Sequence, residues 1–323
     1  MPGVHWACVT ITKQRLGFGL LALCTAGFLA ACGSSDAAGD GDGGGGGGGN
    51  GDGGGGNGEF IDAAVPQSCK KIDLVFSVDP SGSMSQELAA MSSDVFPAFA
   101  TALRTVGDGL EDYRVAVIDG CPTPANFHTR GQSNSDCGFE SGEVWMDSAS
   151  GALEDEFSCV GDIYKASDCS GDNDDEQPIG AAIASLSAPF STGENAGFLR
   201  DDALLVVVTI TDEDECPTFP NCNDTSDTKA TEIFDSLVAV KGDVRKMVYL
   251  GIGGGAAGCP DSGAEAGAYG AADPAVLTNK ISQLFVGEER GVTWDLCDGR
   301  LEDGLTEAIE VIEQACRDFP IID

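Results

Sequence analysis

Residues 203–210 read Ala-Leu-Leu-Val-Val-Val-Thr-Ile, a run with one polar side chain and mostly β-branched character after the first three positions. A strand with one solvated face alternates apolar and polar residues, so an uninterrupted run predicts a strand covered on both faces, at the centre of a parallel sheet. Less strongly apolar runs at 72–78, 113–118, 244–252 and 291–296 are read as further strands, with a short edge strand expected at 142–147. Between them, helical spacing predicts helices over 85–103, 179–186, 228–240, 274–285 and 301–316; in the first, Leu88, Met91, Val95 and Ala98 form the apolar stripe. This alternation predicts a doubly wound α/β domain, with a mainly parallel central sheet, right-handed crossovers and helices on both faces. Ligands of such sheets bind beyond the carboxyl ends of central strands, which directs attention to the residues after Val78 and after Ile210.

The first sixty residues are of another kind. Lys13 and Arg15 precede an apolar stretch, 16–28, too short to span a bilayer comfortably and of the right length for a signal-peptide core. Leu29-Ala30-Ala31-Cys32 follows and resembles the bacterial lipobox. That resemblance implies cleavage of residues 1–31 and acylation of Cys32 with chains such as palmitate, several of which anchor a protein far better than one. Gly33 and Ser34 carry no acidic retention signal, which in a Gram-negative cell favours the outer membrane, on its periplasmic face or at the cell surface. Residues 32–60 are the lipidated cysteine and a glycine-rich tether, whose 33–58 stretch has a flexible-chain span of roughly 25–30 Å. The remainder, 69–318, is expected to be a single domain.

Acidic residues outnumber basic ones 53 to 17, for a formal charge of −36, which repels phosphate backbones and excludes nucleic acid as a partner. Of 13 cysteines, two leave with the signal and Cys32 takes the lipid, so ten remain, an even number suited to disulfides in an exported chain. A zinc site is disfavoured, because there is no Cys-x-x-Cys and only two histidines. Cys69 with Cys316 is the expected bridge across the ends of the domain, and Cys216 with Cys222 a local clasp.

The carboxyl end of the first strand carries Asp79-Pro80-Ser81-Gly82-Ser83, and the central strand runs into Thr211-Asp212. This pair of segments resembles the metal-ion-dependent adhesion site of the von Willebrand factor A family, whose Rossmann-like fold would cover about 70 to 318. The resemblance implies that the hydroxyls of Ser81 and Ser83 ligate a divalent cation directly, while Asp79 and Asp212 act through bound waters. Magnesium, or manganese, suits such a set: it keeps near-octahedral oxygen geometry and dehydrates reluctantly, so neutral hydroxyls and water-bridged carboxylates leave a position for an outside carboxylate. Calcium is the alternative ion. A Ser83–Gln86 capping box at the start of the following helix is compatible with the same residues.

The sequence departs from the family where a threonine ligand is usual. Glu176 or Gln177 stands there, and Glu176 as a ligand would add negative charge and weaken the ion's pull on an incoming carboxylate. Asp212-Glu213-Asp214-Glu215 is an equally good candidate for a second cation site, through Asp214 and Glu215, and for plain loop charge. The run at 172–176 is read as solvated charge.

Catalysis is not expected. His128 sits in a loop bounded by Cys121 and Cys137 with no triad context, and is read as a surface residue. The glycines at 251–255 lack the lysine and hydroxyl of a phosphate loop and are read as a tight turn or mobile segment. The function expected is a lipid-anchored envelope protein that binds a divalent ion and, through it, a protein ligand offering a carboxylate, as an adhesion or interaction module. The alternative is a structural envelope protein in which the ion and the disulfides serve stability only.

Overall fold

The computed structural model describes residues 69–104, 112–163, 176–218, 221–264 and 266–320. The signal region, the tether, Cys32, Cys169 and positions 172–175 lie outside the described residues.

Six strands form one sheet: β1 (Lys71–Val78), β2 (Asp112–Asp119), β3 (Met146–Asp147), β4 (Leu204–Ile210), β5 (Met247–Gly253) and β6 (Gly291–Asp295). Their order is β3-β2-β1-β4-β5-β6. Every neighbouring pair is parallel except β2 with the two-residue β3. Connections run one way from β1 to β2 and the other way from β4 to β5, so the order reverses between β1 and β4. A reversal of this kind parts the flanking loops and leaves a crevice at the strands' carboxyl ends.

The helices are α1 (Ser85–Ala90), α2 (Phe96–Leu103), α3 (Leu153–Gly161), α4 (Pro178–Ser185), α5 (Asp227–Ala239), α6 (Val276–Gly287) and α7 (Leu301–Arg317). Successive residues of a strand face opposite sides, and the core divides accordingly. Leu74, Phe76 and Val78 of β1 pack with Val206 and Val208 of β4 against Met91, Phe96, Phe157, Leu305 and Ile312. Val75, Leu205 and Val207 face the other way, onto Ile179, Leu237, Leu277 and Phe285. The chain is therefore an α/β layered fold with helices on both faces of a mostly parallel sheet, and the fully buried β4 follows from its unbroken apolar sequence.

Three local features differ from expectation. The helix expected over 85–103 is helical throughout, but Met91–Val95 is a π-helical stretch in which the Phe96 N–H reaches back to the Met91 carbonyl. Pro97 accounts for it: its ring lacks an N–H and crowds the carbonyl four residues back, so the turn widens ahead of it. Helix α3 has no counterpart among the expected elements; Leu153, Phe157 and Val160 form its buried stripe, and Phe157 stacks on Phe96 at 4.1 Å. Of the glycines at 251–255, expected as a tight turn or mobile segment, only Gly255 enters a turn, its carbonyl accepting from the Gly258 N–H at 3.0 Å. Gly251 and Gly253 belong to the strand, and a Cβ on Gly254 would lie 2.0 Å from the Asp273 carbonyl oxygen, so glycine is required by close approach of backbone.

Four disulfides are described: Cys69–Cys316, Cys137–Cys159, Cys216–Cys222 and Cys259–Cys297. The first and third are the two pairs expected from the sequence. Cys121 is disulfide-bonded as well. The bridge from Cys69 to Cys316 joins residues 247 apart and is continued by a hydrogen bond from the Cys69 N–H to the Cys316 carbonyl at 2.9 Å. Among the described residues, no helix is long and apolar enough to cross a membrane.

Candidate metal centre

The backbone of β1 pairs with β4 up to its last residue, and the Asp79 N–H still donates to the Ile210 carbonyl at 2.9 Å. The chain then leaves the sheet at both strands together, which brings 79–83 and 211–212 side by side at the reversal of strand order. Asp79 is fully buried. Its Oδ1 accepts from the Ser81 N–H at 2.7 Å, folding the Asp-Pro-Ser segment into a tight turn, and its Oδ2 accepts from the Thr211 hydroxyl at 2.9 Å. Ser81 Oγ and Ser83 Oγ lie 2.8 Å apart, and Ser83 Oγ donates to Asp212 Oδ1 at 3.3 Å. Four expected site residues, Asp79, Ser81, Ser83 and Asp212, thus converge in one chain of oxygen contacts.

The Ser83 hydroxyl points into this cluster and not along the helix. Met84 occupies the N-cap position of α1 without a side-chain cap, so the Ser83–Gln86 capping box does not form. The oxygen neighbours of Ser83 take its hydroxyl instead.

These spacings bear on the donor set. Adjacent oxygens of an octahedron with magnesium–oxygen distances of 2.0–2.1 Å are about 2.9 Å apart, close to the Ser81–Ser83 separation. Electrostatics point the same way. Burial, then the Asp79 charge, pushes the Asp212 carboxyl up to about 6, with the Ser83 hydroxyl pulling down and a hydrogen bond with Asp79 pushing up. Among the described residues no Lys, Arg or His is paired with either aspartate, so the repulsion between them has no cationic side chain to relieve it. A divalent ion among these oxygens would relieve it, and the residues present fit that group. Among the described residues no set of three or more His, Cys, Asp and Glu side chains is arranged to hold a metal; the cluster here is two carboxylates and two hydroxyls.

Glu176 is buried and close by. A Cβ built on Gly120 would meet Glu176 Oε2 at 3.0 Å and the Asp79 Cα at 3.6 Å, which sets this carboxylate beside the Asp79 backbone. Its position is held by two backbone bonds, from the Cys216 N–H to the Glu176 carbonyl and from the Gln177 N–H to the Gly120 carbonyl. Gln177 turns its side chain along α4, with Oε1 3.6 Å from a Cβ position on Gly180. Of Glu176 and Gln177, the two candidates the sequence offered, Glu176 is the one that shares the neighbourhood of Gly120 with the Asp79 backbone.

Asp214 and Glu215 are engaged elsewhere. Asp214 accepts from the Leu277 and Thr278 N–H groups at the start of α6, at 2.8 and 3.0 Å. Glu215 accepts from the Ile179 and Gly180 N–H groups of α4, at 2.8 and 3.0 Å. Helix N-termini carry unpaired donors and positive partial charge, so these carboxylates tie the loop after β4 to two helices on the same face of the sheet. Burial pushes the Glu215 carboxyl up to about 8 against the pull of those two N–H donors.

Two residues near the crevice escaped the sequence reading. Glu87, in the first turn of α1, is 1 % exposed; burial pushes its carboxyl up to about 7, its own backbone N–H pulls it down, and Asp212 and Asp79 push it further up. His128 is not a surface residue: its Nε2 lies 3.1 Å from Asp119 Oδ2, with both side chains at most a tenth exposed. Asp119 ends β2 and also accepts from the Cys121 N–H, so the pair locks the loop after β2. A local charge pattern offered no signal for either.

No family model and no curated protein matches the chain. Among solved structures it is similar to proximal thread matrix protein 1 from the mussel byssus, with 15 % identity and a TM-score of 0.40 over 76 % of this chain and 48 % of that one. The chain spans about half the length of that protein.

Proposed function

We propose that the chain is a lipid-anchored cell-envelope protein, held through Cys32 on the outer membrane, whose von Willebrand factor A-like domain binds a divalent cation and a protein ligand. The observation that carries the reading is the convergence of Asp79, Ser81, Ser83 and Asp212 at the reversal of strand order. The order β3-β2-β1-β4-β5-β6, with only β3 antiparallel, supports a Rossmann-like arrangement in which that position is the ligand crevice. Ser81 and Ser83 would hold magnesium or manganese with Asp79 and Asp212 behind them. The ion would supply Lewis acidity toward a carboxylate of the partner.

Calorimetric titration with magnesium, manganese and calcium, repeated on Asp79→Ala, tests the metal step. Uptake by the wild type and its loss in the variant are the expected result; no uptake by either protein defeats the reading. A pull-down from envelope extracts with and without chelator tests the ligand step, and partners that survive chelation count against it. A second reading, in which the ion and the disulfides serve stability only, is favoured by Glu176: a buried carboxylate beside Asp79 damps the ion's attraction for an outside anion.

A further inference from the structure

The geometry points to Glu87 as an outer acceptor around the cation, one step removed from the ion, where its Oε2 adds a third carboxylate's charge behind those of Asp79 and Asp212 without ligating the ion. This inference rests on the metal reading above.

Glu87 is the third residue of α1, and α1 begins directly after the Asp79–Ser83 turn, with Met84 as its N-cap. Side chains in a helix lean toward its N-terminus, here toward the Asp79–Ser83 turn from which α1 starts. The carboxylate is therefore directed back at the turn that carries Ser81 and Ser83. Both Asp79 and Asp212 act on it electrostatically. The residue is 1 % exposed, and Glu87 Oε2 is buried with no hydrogen-bond partner.

A buried carboxylate oxygen without a partner is costly, on the order of 1–3 kcal/mol even for a neutral acceptor and more for a charged one. A core position in a first helical turn is ordinarily filled by an apolar residue, as the neighbouring Leu88 and Met91 are. A glutamate there, facing two further buried carboxylates and no cationic side chain, is explained by a positive charge that all three share. Carboxylate count raises affinity for a divalent ion, and residues one step removed from the metal typically contribute roughly 10–100-fold in affinity. Glu87 would thus strengthen retention of the ion while further neutralising it.

The test is titration of the protein with manganese at pH 8, following free manganese by electron paramagnetic resonance, for the wild type, Glu87→Gln, Glu87→Asp and Asp79→Asn. Glu87→Gln is expected to weaken uptake roughly 10–100-fold. In chelator, its melting temperature should equal or exceed that of the wild type, because the amide removes an unpartnered charge. Glu87→Asp, which keeps the charge on a shorter stem, should recover part of the affinity, and it reports the same comparison if the glutamine variant folds poorly. Wild-type affinity in Glu87→Gln, or equal weakening in Glu87→Gln and Glu87→Asp with a lowered melting temperature in chelator, overturns the inference. If Asp79→Asn abolishes uptake while Glu87→Gln leaves it intact, only the role of Glu87 fails. If the wild type takes up no manganese, the metal reading fails and this inference with it.

Discussion

The Thr211 hydroxyl donates to Asp79 Oδ2 at 2.9 Å and accepts from the Glu213 N–H at 3.0 Å, joining two loops whose residues lie 132 positions apart. Asp79 is oriented from both sides, by the Ser81 N–H on one oxygen and by Thr211 on the other. Its carboxylate is consequently fixed before any ligand arrives, and preorganisation of this kind is what a metal or catalytic site requires of its surroundings.

Thr211→Val keeps the shape of this fully buried side chain and removes both hydrogen bonds. Leaving the buried Asp79 oxygen short of a donor costs about 1–3 kcal/mol, and the half-buried Glu213 N–H less, so a loss of roughly 1–3 kcal/mol is expected in denaturant titrations. Manganese uptake should weaken in parallel, because Asp79 is freed to rotate. An unchanged denaturation midpoint would show that Thr211 does not brace the site.

Glu215 gives a second, sharper contrast. Its oxygens receive the Ile179 and Gly180 N–H groups while its carboxyl holds its proton up to about pH 8. Glu215→Ala strands both donors in the interior and should cost roughly 2–4 kcal/mol. Glu215→Gln is expected to be milder at pH 7, since its amide oxygen keeps one of the two N–H donors paired and a neutral side chain is already the prevailing form there. Thermal melts of the two variants side by side check this ordering, and a glutamine variant as damaged as the alanine one would refute it.

At the opposite end of the sheet, Arg200 Nε donates to Asp73 Oδ1 at 2.7 Å, its backbone N–H donates to Asp73 Oδ2 at 2.6 Å, and its guanidinium also pairs with Asp112. Asp73 is fully buried in β1, and burial raises its carboxyl while Arg200 lowers it. Arg200→Met removes the partner and leaves the acid behind, which for a buried pair costs about 3–5 kcal/mol. The double change Asp73→Leu with Arg200→Met should recover part of that loss. Urea titrations of the single and double variants measure the difference.

How far such contacts can be read in advance depends on their range in sequence. β4 and β1 declare themselves, because burial on both faces demands unbroken apolar runs. Asp79, Ser81 and Ser83 sit within five residues, and Asp212 is marked by its place after the most apolar strand. Glu87 gave no such sign: a glutamate in the first turn of a helix is ordinary, and only the tertiary fold makes it buried. Asp214 and Glu215 read as loop charge because the helix ends they cap begin 63 and 36 positions away. His128 pairs with an aspartate nine residues earlier across a loop whose course no periodicity describes. α3 is missed for a different reason, since Glu154, Asp155 and Glu156 in its first turn mask a stripe of only three large apolar residues.

Asp212 yields the prediction in which the sign matters most. Its carboxyl stands at about 6 in the folded chain against 3.8 ordinarily, because burial and the Asp79 charge oppose ionisation. A group whose folded value is raised contributes stability that is complete below the ordinary value and lost as pH rises through the folded one. In chelator, the wild type should therefore lose stability between about pH 4 and pH 6.5, by at most roughly 3 kcal/mol from this group. Asp212→Asn, which cannot ionise, should lack that part of the decline and be the more stable protein at pH 7.5. With saturating manganese the order should invert, since the wild type gains the binding free energy and the variant does not. The same ionisation must precede metal uptake, so affinity should fall as pH drops below about 6. Calorimetric melts of both proteins at pH 4.5, 6 and 7.5, with chelator and with manganese, contain every comparison. An asparagine variant less stable than the wild type in chelator at pH 7.5 would mean that Asp212 is not under the repulsion from Asp79 that its place beside Ser83 implies.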